Sequence, residues 1–162
     1  MLGAIYGDIV GSIYEYDQFK EIKEVNPKQL ILPDSFYSDD TIETVAVIDA
    51  ILNSKNYEKT LKQYILENLS YKPDFSPCFK NPFSPNTIKW AKGLTVGNSN
   101  GNGAMMRISP VGYLFDNEDE VKENAYLVTA TSHNSSEAIE SATIIALMIY
   151  YFRNGMSKDC LL

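Results

Sequence analysis

Histidine is almost missing from this chain: His133 is the only one, and only two cysteines, Cys78 and Cys160, accompany it. Neither cysteine has a second Cys or His at a zinc-like spacing, so the sequence supplies neither a structural zinc site nor a disulfide framework, and a reducing cytoplasm is the expected compartment. Basic residues are also scarce, with 14 Lys and Arg against 21 Asp and Glu. They form no cluster of the kind that neutralises a phosphate backbone, which argues against a nucleic-acid partner. Long apolar runs are lacking as well. The greasiest stretch, Ala142 to Phe152, is shorter than a bilayer requires. The N-terminal Met1 to Asp8 has no basic lead-in and is interrupted by Asp8, so it does not read as a signal peptide. No membrane association is expected.

Convincing strand-type alternation is absent too, and what remains is helical periodicity throughout. At 162 residues and 44% hydrophobic content, the chain suits one domain spanning 1–162 with a sizeable core. The pattern predicts an all-α fold of about seven helices. The first runs from Leu2 to about Tyr16, with Gly3, Gly7 and Gly11 along one face where another helix or a ligand can come close. Others are predicted from Asp39 or Asp40 to about Asn53, from Tyr57 to Leu69, and from Ser84-Pro85 through Trp90. Three more follow: Ala104 to Phe115 around Pro110, Asp119 to Thr131, and Ser135 to Arg153. Lys20 to Tyr37, with Asn26-Pro27 and Leu32-Pro33-Asp34, reads as a loop, and Lys72 to Pro85 as a proline-rich connector. Met156 to Leu162 looks like the start of a further helix.

Four polar islands sit at the ends of these helices. Tyr37-Ser38-Asp39-Asp40-Thr41 places two adjacent carboxylates between hydroxyls at a helix start. Neighbouring anions repel, so this grouping calls for the positive end of the helix dipole, a hard cation, or both. An ordinary reading is equally available: Asp40 as N-cap with Glu43 as its capping-box partner, or Ser38 capping one turn earlier. In Gly7 to Glu15, the spacing of Asp8, Ser12 and Glu15 projects all three from one helical face. Ser99 to Arg107 is a glycine-rich turn running into a helix, whose free N–H groups suit a phosphate as well as a plain turn. The last island, Thr131 to Ser136, holds His133 among capping residues.

In order along the chain, Gly-Asp-x-x-Gly-Ser-x-x-Glu (Gly7 to Glu15), Tyr-Ser-Asp-Asp-Thr (Tyr37 to Thr41), Gly-Asn-Gly-Ala-x-Met-Arg (Gly101 to Arg107) and His133 before a serine-rich helix start closely resemble the ADP-ribosylglycohydrolase family. The resemblance extends to about Arg153. It implies a compact orthogonal helical bundle that holds two divalent cations, Mg²⁺ or in some cases Mn²⁺, and cleaves ADP-ribose from its acceptor. Carried onto this chain, it implies Ser38, Asp39 and Asp40 as metal ligands and Glu15, Asp39 and Asp40 as the catalytic carboxylates. Ser99, Gly101, Asn102, Gly103 and His133 become substrate-binding residues, although the residue before the histidine, often Thr in the family, is Ser132 here. ADP-ribose or an ADP-ribosylated protein is the implied partner.

The family pattern also includes a late Asp-x-Asp motif that completes the metal centre, and after His133 this chain has Asp159 alone. The second metal site is therefore expected to be incomplete. A fragment of a glycohydrolase is the favoured reading, beside one in which another chain or protomer supplies the missing helices and one of a non-catalytic relative that binds ADP-ribose or serves structurally. Missing helices would leave apolar surface uncovered, notably from Ile144 to Phe152, and self-association is the expected result.

Overall fold

Five of the helices begin where the sequence supplies a side-chain oxygen for an otherwise unpaired backbone N–H. In the computed structural model, which describes residues 1–15, 26, 28–73 and 81–160, α1 (Leu2–Gly11) is followed directly by a 3₁₀ turn (Ser12–Tyr14). Ser38 caps α2 (Asp39–Leu52), Asn56 caps α3 (Tyr57–Glu67), and Ser84 caps α4 (Pro85–Ala91) with Pro85 in its first turn. Two short helices come next, α5 (Gly103–Met106) and α6 (Ser109–Leu114). Asn117 caps α7 (Glu118–Ala130), Ser135 caps α8 (Ser136–Arg153), and a 3₁₀ turn (Lys158–Cys160) follows. No strand occurs among the described residues, so the fold is all-helical as the periodicity predicts.

Several boundaries differ from those read off the sequence. The first helix ends at Gly11, and Tyr16 lies outside the described residues, as do 20–25 and Pro27 of the predicted loop, 74–80 of the connector with Cys78, and Leu161 and Leu162. The helix predicted over Ala104 to Phe115 is two helices. Pro110 has no N–H to donate to the Met106 carbonyl, so the ladder breaks at Arg107 and Ile108, and the freed carbonyl receives Thr44 Oγ1 at 3.5 Å. The glycine stripe of α1 is not a seam of close approach, since nothing described lies within 4 Å of where a Cβ would stand at Gly3, Gly7 or Gly11. That role falls to Gly112 in α6, where a Cβ would sit 2.2 Å from the Ala146 carbonyl oxygen and 2.8 Å from Ile149 Cβ.

The core is built from Ala46 and Val47 of α2, Leu61 and Ile65 of α3, Ile108 and Val111 around the start of α6, Val121, Ala125 and Val128 of α7, and Ala142 and Ala146 of α8, all essentially closed to solvent. α8 buries only its two alanines fully. Ile144, Met148 and Phe152, one turn apart along it, stay 51%, 38% and 38% exposed. No described helix is long and apolar enough to cross a membrane. The packing of α6 against α8 and of α2 against α3 brings the start of α2, the α5–α6 break and the end of α7 to one side of the molecule, where the polar islands meet.

Candidate active site

Asp8, in the second half of α1, is tied to the start of α2 by both carboxylate oxygens. Its Oδ1 accepts from Ser38 Oγ at 2.6 Å, and its Oδ2 accepts from the Ser38 N–H at 2.8 Å, the Thr41 N–H at 3.1 Å and Thr41 Oγ1. The α2 N-terminus is thus neutralised by a carboxylate 30 and 33 residues earlier in the chain. Ser38 is the N-cap, its Oγ accepting from the Asp40 N–H at 3.4 Å. The capping box from Asp40 to Glu43 does not form, because Glu43 turns into the core towards Arg107. The shared helical face of Asp8, Ser12 and Glu15 does not form either. Ser12 is fully buried, donating to the Ile9 carbonyl at 2.8 Å and accepting from the Phe36 N–H at 3.0 Å, and Glu15 lies exposed on extended backbone beyond the 3₁₀ turn.

Burial and neighbouring negative charge raise the proton affinity of Asp39, Asp40 and Glu15 at this corner. Burial first, and then the charges of Glu43 and Asp40, push Asp39 up to about 7. Asp40 is raised by burial and by Asp8, and Glu15 by partial burial, Asp40 and Asp8. No ion pair among the described residues reaches any of the four. Hard oxygens carrying uncompensated negative charge are the donors that a hard divalent cation takes. Their layout is open, however: among the described residues no three His, Cys, Asp or Glu side chains stand close enough together to hold a metal ion. The residues therefore fit one wall of a hard-cation site and do not enclose it.

Asp39 also faces a cavity of about 400 Å³. The cavity is lined by Glu43, by Ser84, Asn86, Thr87 and Trp90 at α4, by residues 95–99, by Gly101, Asn102 and Gly103, and by Met106, Arg107, Ser132 and His133. Of the residues singled out in the sequence, Asp39, Ser99, Gly101, Asn102, Gly103 and His133 meet here. Ser38, Asp40 and Glu15 do not line the cavity; they belong to the carboxylate corner behind Asp39. The loop before α5 is held flat against the end of α7. Ser99 N–H donates to the Ser132 carbonyl at 2.9 Å, and at Gly97 a Cβ would collide with the Thr131 carbonyl oxygen at 2.2 Å. Ser99 Oγ receives the Gly101 N–H at 3.1 Å. Asn102 makes no side-chain cap, which leaves the first N–H groups of α5 unpaired within the helix.

The floor of the cavity is a charged network that the sequence reading did not assign. Arg107 is 1% exposed and donates through Nη1 to Glu43 Oε2 at 2.6 Å. Through Nη2 it reaches the Val128 carbonyl at 3.2 Å, Thr131 Oγ1 at 3.3 Å and Ser132 Oγ at 2.7 Å, while its Nε has no partner among the described residues. Burial pushes Glu43 up, and Arg107 pulls it back. Ser132 Oγ lies 2.8 Å from His133 Nδ1. Burial, and then the charge of Arg107, lower the His133 imidazole to about 4, so it is uncharged at neutral pH. The signal for this network was present in the Met-Arg that ends the glycine-rich motif and in Ser132 beside His133, but only the fold shows that Glu43 completes it.

A family model described as ADP-ribosylglycohydrolase matches residues 1–161. The ADP-ribosylhydrolase ARH3 proteins of Mus musculus and Homo sapiens are each 24% identical to the chain over 182 aligned residues, covering 98% of it and 49% and 50% of their own lengths. The chain thus spans about half the length of the curated relatives it matches.

Proposed function

Because the chain belongs to the ADP-ribosylglycohydrolase family, we propose that its cavity receives the ADP-ribose portion of a modified protein or small conjugate and that Asp39 faces the bond to be cut. The observation that carries this reading is the meeting of Asp39, the 99–103 loop and His133, three distant stretches of chain, around one cavity of about 400 Å³. The diphosphate is held by the Gly103 and Ala104 N–H groups, which have no partner among the described residues, with the Asn102 side chain, and the ribose lies between the loop and Asp39.

Loss of the acceptor builds oxocarbenium character on the anomeric carbon. Of the two carboxylates lining the cavity, Glu43 is tied to Arg107 and Asp39 has no ion-pair partner among the described residues, so Asp39 stabilises that charge and takes the proton of the attacking water. Bound Mg²⁺, or Mn²⁺, would supply Lewis-acid polarisation and a water of lowered pKa. Ser38, Asp39 and Asp40 would hold it. Asp8 takes the hydroxyl hydrogens of Ser38 and Thr41, and with one Ser38 lone pair already accepting from the Asp40 N–H, each oxygen still has a lone pair for a cation. Asp40 adds negative charge beside Asp39, and Glu15 stands within reach of the charges of Asp40 and Asp8. The chain works in the cytoplasm, where the exposed thiol of Cys160 stays reduced.

The test is calorimetric titration with ADP-ribose, with and without Mg²⁺, alongside release of ADP-ribose from ADP-ribosylated arginine and serine peptides. Binding with release supports the hydrolase. In that case Asp39→Asn and Asp40→Asn lower turnover by about 100-fold or more, and undiminished turnover in either overturns its assignment. A second reading, a module that binds ADP-ribose without cutting it, is favoured by the open carboxylate wall. Binding without release from either peptide selects it, and absence of binding rejects both.

A further inference from the structure

Beneath the proposed ligand, Arg107, Ser132 and His133 form a directed chain of hydrogen bonds. A guanidinium only donates, so the 2.7 Å contact from Arg107 Nη2 fixes Ser132 Oγ as its acceptor. The serine hydroxyl keeps one hydrogen, and His133 Nδ1 at 2.8 Å is the one acceptor within its reach among the described residues. The opposite arrangement, with hydrogen on Nδ1, makes Ser132 Oγ a double acceptor and strands its own buried hydrogen, which the packing does not compensate. With Nδ1 accepting, the ring hydrogen stands on Nε2. That edge of the ring has no hydrogen-bond partner among the described residues and borders the cavity beside Gly103, where a Cβ would stand 3.3 Å from it. Arg107 is itself held by Glu43, so its direction is set from the core outward.

We propose that Arg107 and Ser132 are positioning residues that hold His133 with its hydrogen on Nε2, so that the ring offers the cavity a hydrogen-bond donor and recognises an oxygen acceptor on the ligand. The ligand half of this inference rests on the ADP-ribose reading above; the tautomer does not. It also accounts for Gly103, because a side chain there would cover the donating edge. His133 acts without acquiring charge, which agrees with its lowered proton affinity.

The chain has one histidine, so a long-range ¹H–¹⁵N correlation spectrum of the ¹⁵N-labelled protein at pH 7 contains one native imidazole pattern. The expected pattern is a pyrrole-type Nε2 and a pyridine-type Nδ1, with the Nε2–H form in about tenfold or greater excess. An Nδ1–H pattern, or an imidazolium, overturns the proposal. Ser132→Ala should erode the excess several-fold and Ser132→Thr should keep it, with circular dichroism confirming that both are folded. An unchanged ratio in folded Ser132→Ala removes Ser132 from the argument, and if that variant does not fold, the parent and Ser132→Thr spectra decide. On addition of ADP-ribose the Nε2 resonance should move more than Nδ1. Binding that leaves Nε2 unmoved overturns the ligand half. Absence of binding overturns the ligand half together with the functional reading, while the ligand-free spectrum still judges the tautomer.

Discussion

At the scale of single residues, His133 makes stability depend on pH in a direction that can be worked out. Its imidazole is held at about 4 in the folded chain against an ordinary 6.5. The unfolded chain therefore takes up the proton first, so stability is fully present above pH 6.5 and is lost as the pH falls towards 4. Asp39 has the opposite slope, because its carboxyl stays protonated to about 7 when folded and so loses stability as the pH rises through that window. Comparing the parent with His133→Asn cancels the Asp39 contribution. Urea unfolding between pH 7 and pH 4 should show the parent losing on the order of 3 kcal/mol relative to the variant. Parallel curves would mean that burial does not control this group.

Arg107 and Glu43 give a second prediction of the same kind. Removing one member leaves the other charge buried without its partner, so Arg107→Met should cost about 3–5 kcal/mol in denaturant unfolding. Glu43→Leu combined with Arg107→Met should cost clearly less than the sum of the single changes. Additive costs would show that the two do not act as a pair.

At the scale of elements, the start of α2 depends on α1, and this was only half legible in the sequence. Ser38, Ser84 and Ser135 announce their helices by residue type alone, and so do the long periodic runs of α3, α7 and α8. Asp8 looked like one more polar residue on a helix, because local spacing says nothing about a partner 30 residues away. Glu43 looked like a capping residue for the same reason. The glycine-rich loop and His133 were legible as islands, and their sharing of one cavity became visible only when α5 and the end of α7 were placed together. Replacing Asp8 with Ala removes four acceptor contacts from the α2 N-terminus. The expected loss is about 2 kcal/mol or more, with faster hydrogen exchange in the first turn of α2. Unchanged exchange there would show that Ser38 alone holds the cap. The glycines separate in the same way: Gly112→Ala forces α6 away from α8 and should cost about 1–3 kcal/mol. Gly7→Ala meets nothing among the described residues and should stabilise α1 by about 0.5–1 kcal/mol.

At the scale of the whole molecule, the stripe of Ile144, Met148 and Phe152 on α8 departs from what a closed helical domain presents. The same helix buries two alanines fully and packs Ile145, Leu147 and Tyr150 partly against the core, while Ile144, Met148 and Phe152 stay outward. The solvent side of a helix in a closed domain is usually polar, and this one carries three large apolar residues as well. Side chains four residues apart on a helix adjoin one another, so the three form a continuous surface and not scattered exposures. Such a surface gains by leaving water against another apolar face, which makes self-association the expected behaviour. Analytical ultracentrifugation over a concentration series should show mass rising with concentration, and Ile144→Glu with Met148→Glu should return the chain to monomer without lowering its unfolding midpoint, since neither side chain is part of the buried core. A monomer across the whole series would show that α8 tolerates its exposed face unaided, and a doubly substituted chain that still associates would move the contact to another surface, with exposed Leu2 and Tyr6 of α1 the next to be replaced.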